Sequence, residues 1–143
     1  MSALAATHPP AGGGVRGLVL PAAVVAAASA GAAYLYAVDP HEPGHYPPCP
    51  FLALTGYWCP GCGSARALHA LLRGDLGTAL VHNPATPLVL GYLLWTFVSW
   101  TRWRVTGRAR QLAPAWRLHV AWVAIIAFWV LRNVPGWTWL SPQ

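Results

Sequence analysis

Cys49, Cys59 and Cys62 fall within one fourteen-residue stretch, and His41, His45, His69 and His82 lie in the same region of the chain. Three chemistries compete for this set. A single disulfide in an oxidising compartment is the first. Cys49 paired with Cys59 or Cys62 would close a loop of about ten to fourteen residues, for which the chain-entropy estimate is near 3 kcal/mol. Three cysteines cannot all pair within one chain. The second is a metal centre. Cys59-Pro60-Gly61-Cys62-Gly63 has the shape of a knuckle turn that points two thiolates at one ion. Cys49 and one histidine, with His69 as the candidate fourth ligand, would complete a Cys3His set suited to Zn2+. Only one ligand pair here has regular spacing. The third is thiol redox, because a Cys-x-x-Cys turn ahead of a helix lowers a thiol pKa through the helix N-terminus and a neighbouring arginine, here Arg66. No βαβ pattern of the thioredoxin kind accompanies it.

These residues must be positioned by helices. Ser64 to Leu72, SARALHALL, consists of strong helix formers behind a Gly63 or Ser64 cap. Cys62, Arg66, His69 and Arg73 recur at helical spacing on one face, and Leu68, Leu71 and Leu72 take the other. Such a helix lies in a membrane interface with its leucines down, or folds back onto neighbouring helices. In the plainer view Arg66 faces solvent or lipid headgroups and His69 is a polar interfacial residue. Gly74 ends the helix, and Asp75 caps a second short one, Leu76 to Val81. Asn83-Pro84 then reads as a cap followed by proline at the first helical position, the start of the next long helix.

The rest of the chain is apolar. Of 143 residues, 56% are hydrophobic and 8% charged, too few charges to cover a water-facing surface. The same numbers exclude intrinsic disorder. All nine basic residues are arginine, and the net charge is +6. Five of them fall between 102 and 117 rather than on a dense stripe, which argues against nucleic acid. The expected architecture is all-α and membrane-embedded, with spans at about 17–38, 85–101 and 115–134. A disordered tail, 1–16, precedes a single membrane domain, 17–143, that includes the cysteine segment 47–84. Spans need about 20 apolar residues. The third reaches that length if Arg117 and Arg132 snorkel to the interfaces. Ala28-Ser29-Ala30 fits a signal-peptide cleavage site, but the apolar run continues past it to Val38, which favours a retained anchor. The arginine-rich 102–117 loop places the N-terminus in the cytoplasm and the cysteine segment outside. Trp100, Trp103 and Trp116 then mark the inner boundary, and Trp137 and Trp139 the outer one. No acidic residue lies within a span, which disfavours a proton-coupled carrier. No Ser-His-Asp arrangement, phosphate loop or internal repeat is present.

Taken together, Cys49-Pro50-Phe51, Leu54-Thr55-Gly56-Tyr57-Trp58-Cys59-Pro60-Gly61-Cys62-Gly63-Ser64-Ala65-Arg66-Ala67, Leu71-Leu72-Arg73-Gly74-Asp75 and Asn83-Pro84 resemble a family of small bacterial membrane proteins grouped around a domain of unknown function. The resemblance covers about residues 47–100. Ser64-Ala65 stands where members often have Gly or Ser followed by Thr, which removes one hydroxyl. The resemblance implies a bacterial plasma-membrane protein and no particular activity. The reading that follows is a multi-pass, non-enzymatic scaffold or interaction component with a cysteine-stabilised outer loop. A metal-binding or thiol-redox membrane protein is the alternative, and a small transport or channel component the third. Its partners are membrane lipid, and a second copy or another membrane protein, since the alanine-rich first span is suited to close helix packing.

Overall fold

The structure, a computed structural model, describes residues 15–42, 44–106 and 115–136, and among them every regular element is helical. A 3-10 turn, Val15–Leu18, leads into α1, Val19–Ala37. Alanine carries this helix, and Pro21 is tolerated because it stands in the first turn. It stops at Val38, which is extended and donates its N–H to the Tyr34 carbonyl. Asp39-Pro40 follows, and a residue before proline avoids the helical region.

The segment beyond holds three short helices. Helix α2, Pro50–Thr55, opens on proline and closes on Gly56, whose φ of +74° is the left-handed conformation that glycine adopts without strain. The sequence reading assigned no helix here, although proline at the start and glycine just past the end are the signals for one. Helix α3, Ser64–Leu72, packs against α4, Leu76–His82. Asp75 caps α4 by accepting from the Thr78 N–H at 2.9 Å. Two long helices complete the chain, α5, Ala85–Thr106, and α6, Ala115–Arg132.

Cross-links between distant residues fix the directions of the long helices. Arg104, near the end of α5, donates to the Gly17 carbonyl at the start of α1. His69 of α3 bonds the Leu35 carbonyl near the end of α1. Arg132, the last residue of α6, donates to the carbonyls of Pro60, Cys62 and His82. The end of α1, the start of α5 and the end of α6 therefore meet at the cysteine segment. At the other end Arg104 lies over the Trp100 ring and Arg117 over Trp116.

The buried hydrophobic residues are few among those described: Leu35, Cys62 and a cluster of Ala67, Ala70 and Ala79, with Leu71 against it, where α3 meets α4. Large apolar side chains point outward instead, among them Val25, Leu88, Leu93, Trp122 and Ile126. Val15–Ala37 is long and apolar enough to cross a membrane. Two expectations about side chains are corrected. His69 is not an interfacial residue but is buried against α1, because its ring finds the Leu35 carbonyl there. Arg132 does not snorkel outward, since three carbonyls draw it into the fold. Residues 1–14, Arg108, Arg110, Trp137 and Trp139 lie outside the described residues.

Candidate metal centre

Two backbone devices bring the thiols together. Cys49 is the cap residue of α2, extended ahead of Pro50. Ten residues later the chain turns tightly, with the Cys62 N–H donating to the Cys59 carbonyl at 3.1 Å and the Ser64 N–H to the Gly61 carbonyl at 3.0 Å. Gly63, with φ +81°, then turns the chain into α3. As a result the Sγ atoms of Cys49, Cys59 and Cys62 all lie within 4.8 Å of one another. Cys49 to Cys59 is 3.4 Å and Cys59 to Cys62 is 2.9 Å. All three are free cysteines rather than a disulfide and a leftover. Thiolates around a tetrahedral zinc, each about 2.3 Å from the ion, stand about 3.8 Å apart. Small side-chain rotations separate these arrangements.

The thiols are not equivalent. Burial pushes the Cys62 thiol up to about 12, and its hydrogen bond with Cys59 adds to the effect. Cys49 moves the other way, lowered first by the backbone N–H of Leu52 at the start of α2 and then by the neighbouring thiols. The neighbouring thiols thus differ in acidity, Cys49 below its ordinary value and Cys62 above it.

Three polar side chains hold the turn. Asn83, 1% exposed, donates its amide to the Pro60 carbonyl, the Cys62 carbonyl and the Ser64 hydroxyl at 3.0, 3.2 and 3.1 Å. Its own oxygen accepts from the Ala85 N–H at 3.0 Å, so the residue that starts α5 also grips the cysteine turn. Pro84 follows it into the helix. Arg132, also 1% exposed, donates to the Cys62 carbonyl at 2.7 Å and to Pro60 and His82 at 3.3 Å each. Asn133 brackets Trp58, accepting from its N–H at 2.8 Å and donating to its carbonyl at 2.9 Å. The Phe51 and Trp129 rings meet edge to face with centroids 5.9 Å apart, which seats α2 on α6.

His69, the candidate fourth ligand, is not among the groups that cluster with the thiols. Its Nδ1 is 2.6 Å from the Leu35 carbonyl and its Nε2 accepts from Arg73 Nε at 2.9 Å. Both ring nitrogens are engaged, and the arginine donor fixes the tautomer with the proton on Nδ1. The residue staples α3 to α1. Arg73 completes the staple by lying over the Tyr36 ring at 5.2 Å. Arg66, on the same helix, is half-buried.

Sequence reasoning named the three cysteines and Asn83 but missed Arg132 and Asn133 as parts of the site. Their signal was an Arg-Asn pair ending an apolar helix in a chain nearly devoid of acids. An ionisable residue in that setting points to a specific partner. No curated protein and no solved structure matches the chain. The family model described as Protein of unknown function (DUF2752) matches residues 49–97, the segment from the first cysteine into α5, which falls within the stretch that the resemblance covered.

Proposed function

We propose that this chain is a multi-pass plasma-membrane protein whose cysteine segment binds a divalent, thiophilic metal ion, zinc being the natural fit. The ion acts as a structural staple for an interaction surface. The observation that carries the reading is the convergence of three free thiols from two separate parts of the segment, within 4.8 Å of one another. Cysteine thiolate is the ligand type that zinc and other borderline-soft cations take. Such a site contributes directly to folding, which suits a segment whose buried hydrophobic cluster is three alanines.

The three-span topology is part of this proposal. Its support is the alternating direction of α1, α5 and α6 and the large apolar residues exposed along them. The arginines of the 102–117 region favour a cytoplasmic N-terminus and an outer cysteine segment. A site in that compartment meets oxidants, and the 3.4 and 2.9 Å sulfur separations also favour a second reading, a disulfide that forms on loss of metal.

The test is metal content and Co2+ substitution of the full chain in detergent, with Cys49→Ser, Cys59→Ser and Cys62→Ser beside it. Wild type is expected to hold one ion per chain and to show thiolate-to-cobalt charge-transfer absorption, and each variant to lose it. In intact cells, an impermeant maleimide is expected to label the cysteines after chelation. Labelling that appears on reduction alone, with no chelator, overturns the metal reading in favour of a disulfide. Full labelling without pretreatment overturns both.

A further inference from the structure

Arg132 is a full positive charge, 1% exposed, whose hydrogen-bond partners are all neutral carbonyls. Among the described residues its Nε has no partner. Burying a cation without an anion is costly, so its counter-charge has to be found nearby. The chain has three carboxylate side chains. Asp39 accepts from His41 and Asp75 from Thr78, both at other places, and Glu42 is exposed. Among the described residues the one cation–carboxylate contact of salt-bridge distance is His41 Nδ1 with Asp39, at 2.7 Å. What does lie beside the guanidinium is the cysteine turn. The shortest of its bonds, 2.7 Å, goes to the carbonyl of Cys62 itself.

We propose that Arg132 is the counter-cation of the metal-loaded thiolate cluster. This rests on the metal reading above. Three thiolates around a dication carry a net charge of −1, which one arginine neutralises. Around a monovalent ion such as Cu+ they carry −2, a charge on which the same arginine acts about twice as strongly. The face of Arg132 away from the turn packs over the Phe128 ring, its centre 5.4 Å away, so low-dielectric surroundings leave the interaction poorly screened. Arg132 is thereby a positioning residue: it touches no metal, but it holds the Cys62 carbonyl and offsets the negative charge of the loaded cluster.

The experiment compares Co2+ and Cu+ affinities, by chelator competition, for the full-length wild type, Arg132→Gln and Arg132→Lys in detergent. Arg132→Gln is expected to lose Co2+ affinity by on the order of tenfold to a hundredfold, the scale of one poorly screened charge pair, and Cu+ affinity by more. Arg132→Lys keeps the charge but not the forked hydrogen bonds, and is expected to retain the wild-type ratio of the two affinities. If Arg132→Gln does not fold, that ratio in Arg132→Lys carries the test. Equal losses for both metals, or a ratio in Arg132→Lys that departs from wild type, overturn the charge role and leave a purely structural one. Absence of Co2+ binding by wild type overturns this inference together with the metal reading. Binding by wild type with parallel losses in the variants overturns this inference alone.

Discussion

Asn83 offers a way to separate two energies carried by one side chain. Its oxygen caps α5 and its amide holds the cysteine turn by three acceptors. Asn83→Ser keeps a capping oxygen and removes the amide. Asn83→Ala removes both. The cap contributes about 1 kcal/mol. The amide tie contributes about 1 kcal/mol net, because the Pro60 and Cys62 carbonyls still accept from Arg132 and are not orphaned. If turn geometry is set before metal arrives, these costs appear in binding. At 1.4 kcal/mol per tenfold, Asn83→Ser should weaken Co2+ affinity by about fivefold and Asn83→Ala by about thirtyfold. Chelator competition on the detergent-solubilised chain measures both, and thermal unfolding of the metal-free protein should rank the variants in the same order. Wild-type affinity in Asn83→Ala would refute the argument that the turn is preorganised by α5. Identical losses in the two variants would refute the separate cap.

Three further outcomes follow from the geometry. His69→Ala should cost about 1–3 kcal/mol of thermal stability by leaving the buried Leu35 carbonyl unpaired. It should leave metal stoichiometry at wild type by mass spectrometry, whereas a ligand variant would lose the ion. Gly63→Ala forces a side chain into a φ of +81° directly after Cys62 and should cost about 1–2 kcal/mol in thermal unfolding, with weaker Co2+ binding. The Asp75 carboxyl is held below its ordinary 3.8, first by the Thr78 hydroxyl and then by the Thr78 N–H. Its contribution is fully present above its unfolded value and fades as pH falls through the lowered folded one. Hydrogen exchange at the Thr78 amide should therefore lose protection in that acid range, and Asp75→Asn, which has no proton to gain, should show no such step.

The local elements were legible because their signals are local. Ser64 to Leu72 carries strong helix formers between two glycines, and Asp75 stands three residues ahead of the N–H it caps. The clustering of Cys49 with the Cys59–Cys62 turn was legible only as one of three options, since spacing alone does not distinguish a disulfide from a ligand set. His69 misled for a physical reason. Helical spacing puts it on the face of Cys62, but the ring swings toward α1, where a carbonyl 34 positions upstream takes it. Arg132 was hidden for the converse reason. At the end of an apolar helix an arginine has a ready explanation in the interface, and its true partners lie 50 to 72 positions earlier in the chain.

That separation orders the events of synthesis. Cys62 emerges 70 residues before Arg132. At about 5–20 residues per second, the thiols precede the side chain that holds their turn by roughly 4–14 s. In the proposed topology they wait for that interval on the oxidising side of the membrane, gripped by Asn83 alone once α5 has begun. The last helix is thus the closing step of a maturation sequence. A chain stopped before α6 keeps every cysteine and still presents an unfinished centre, exposed to stray disulfides or to recognition as incomplete.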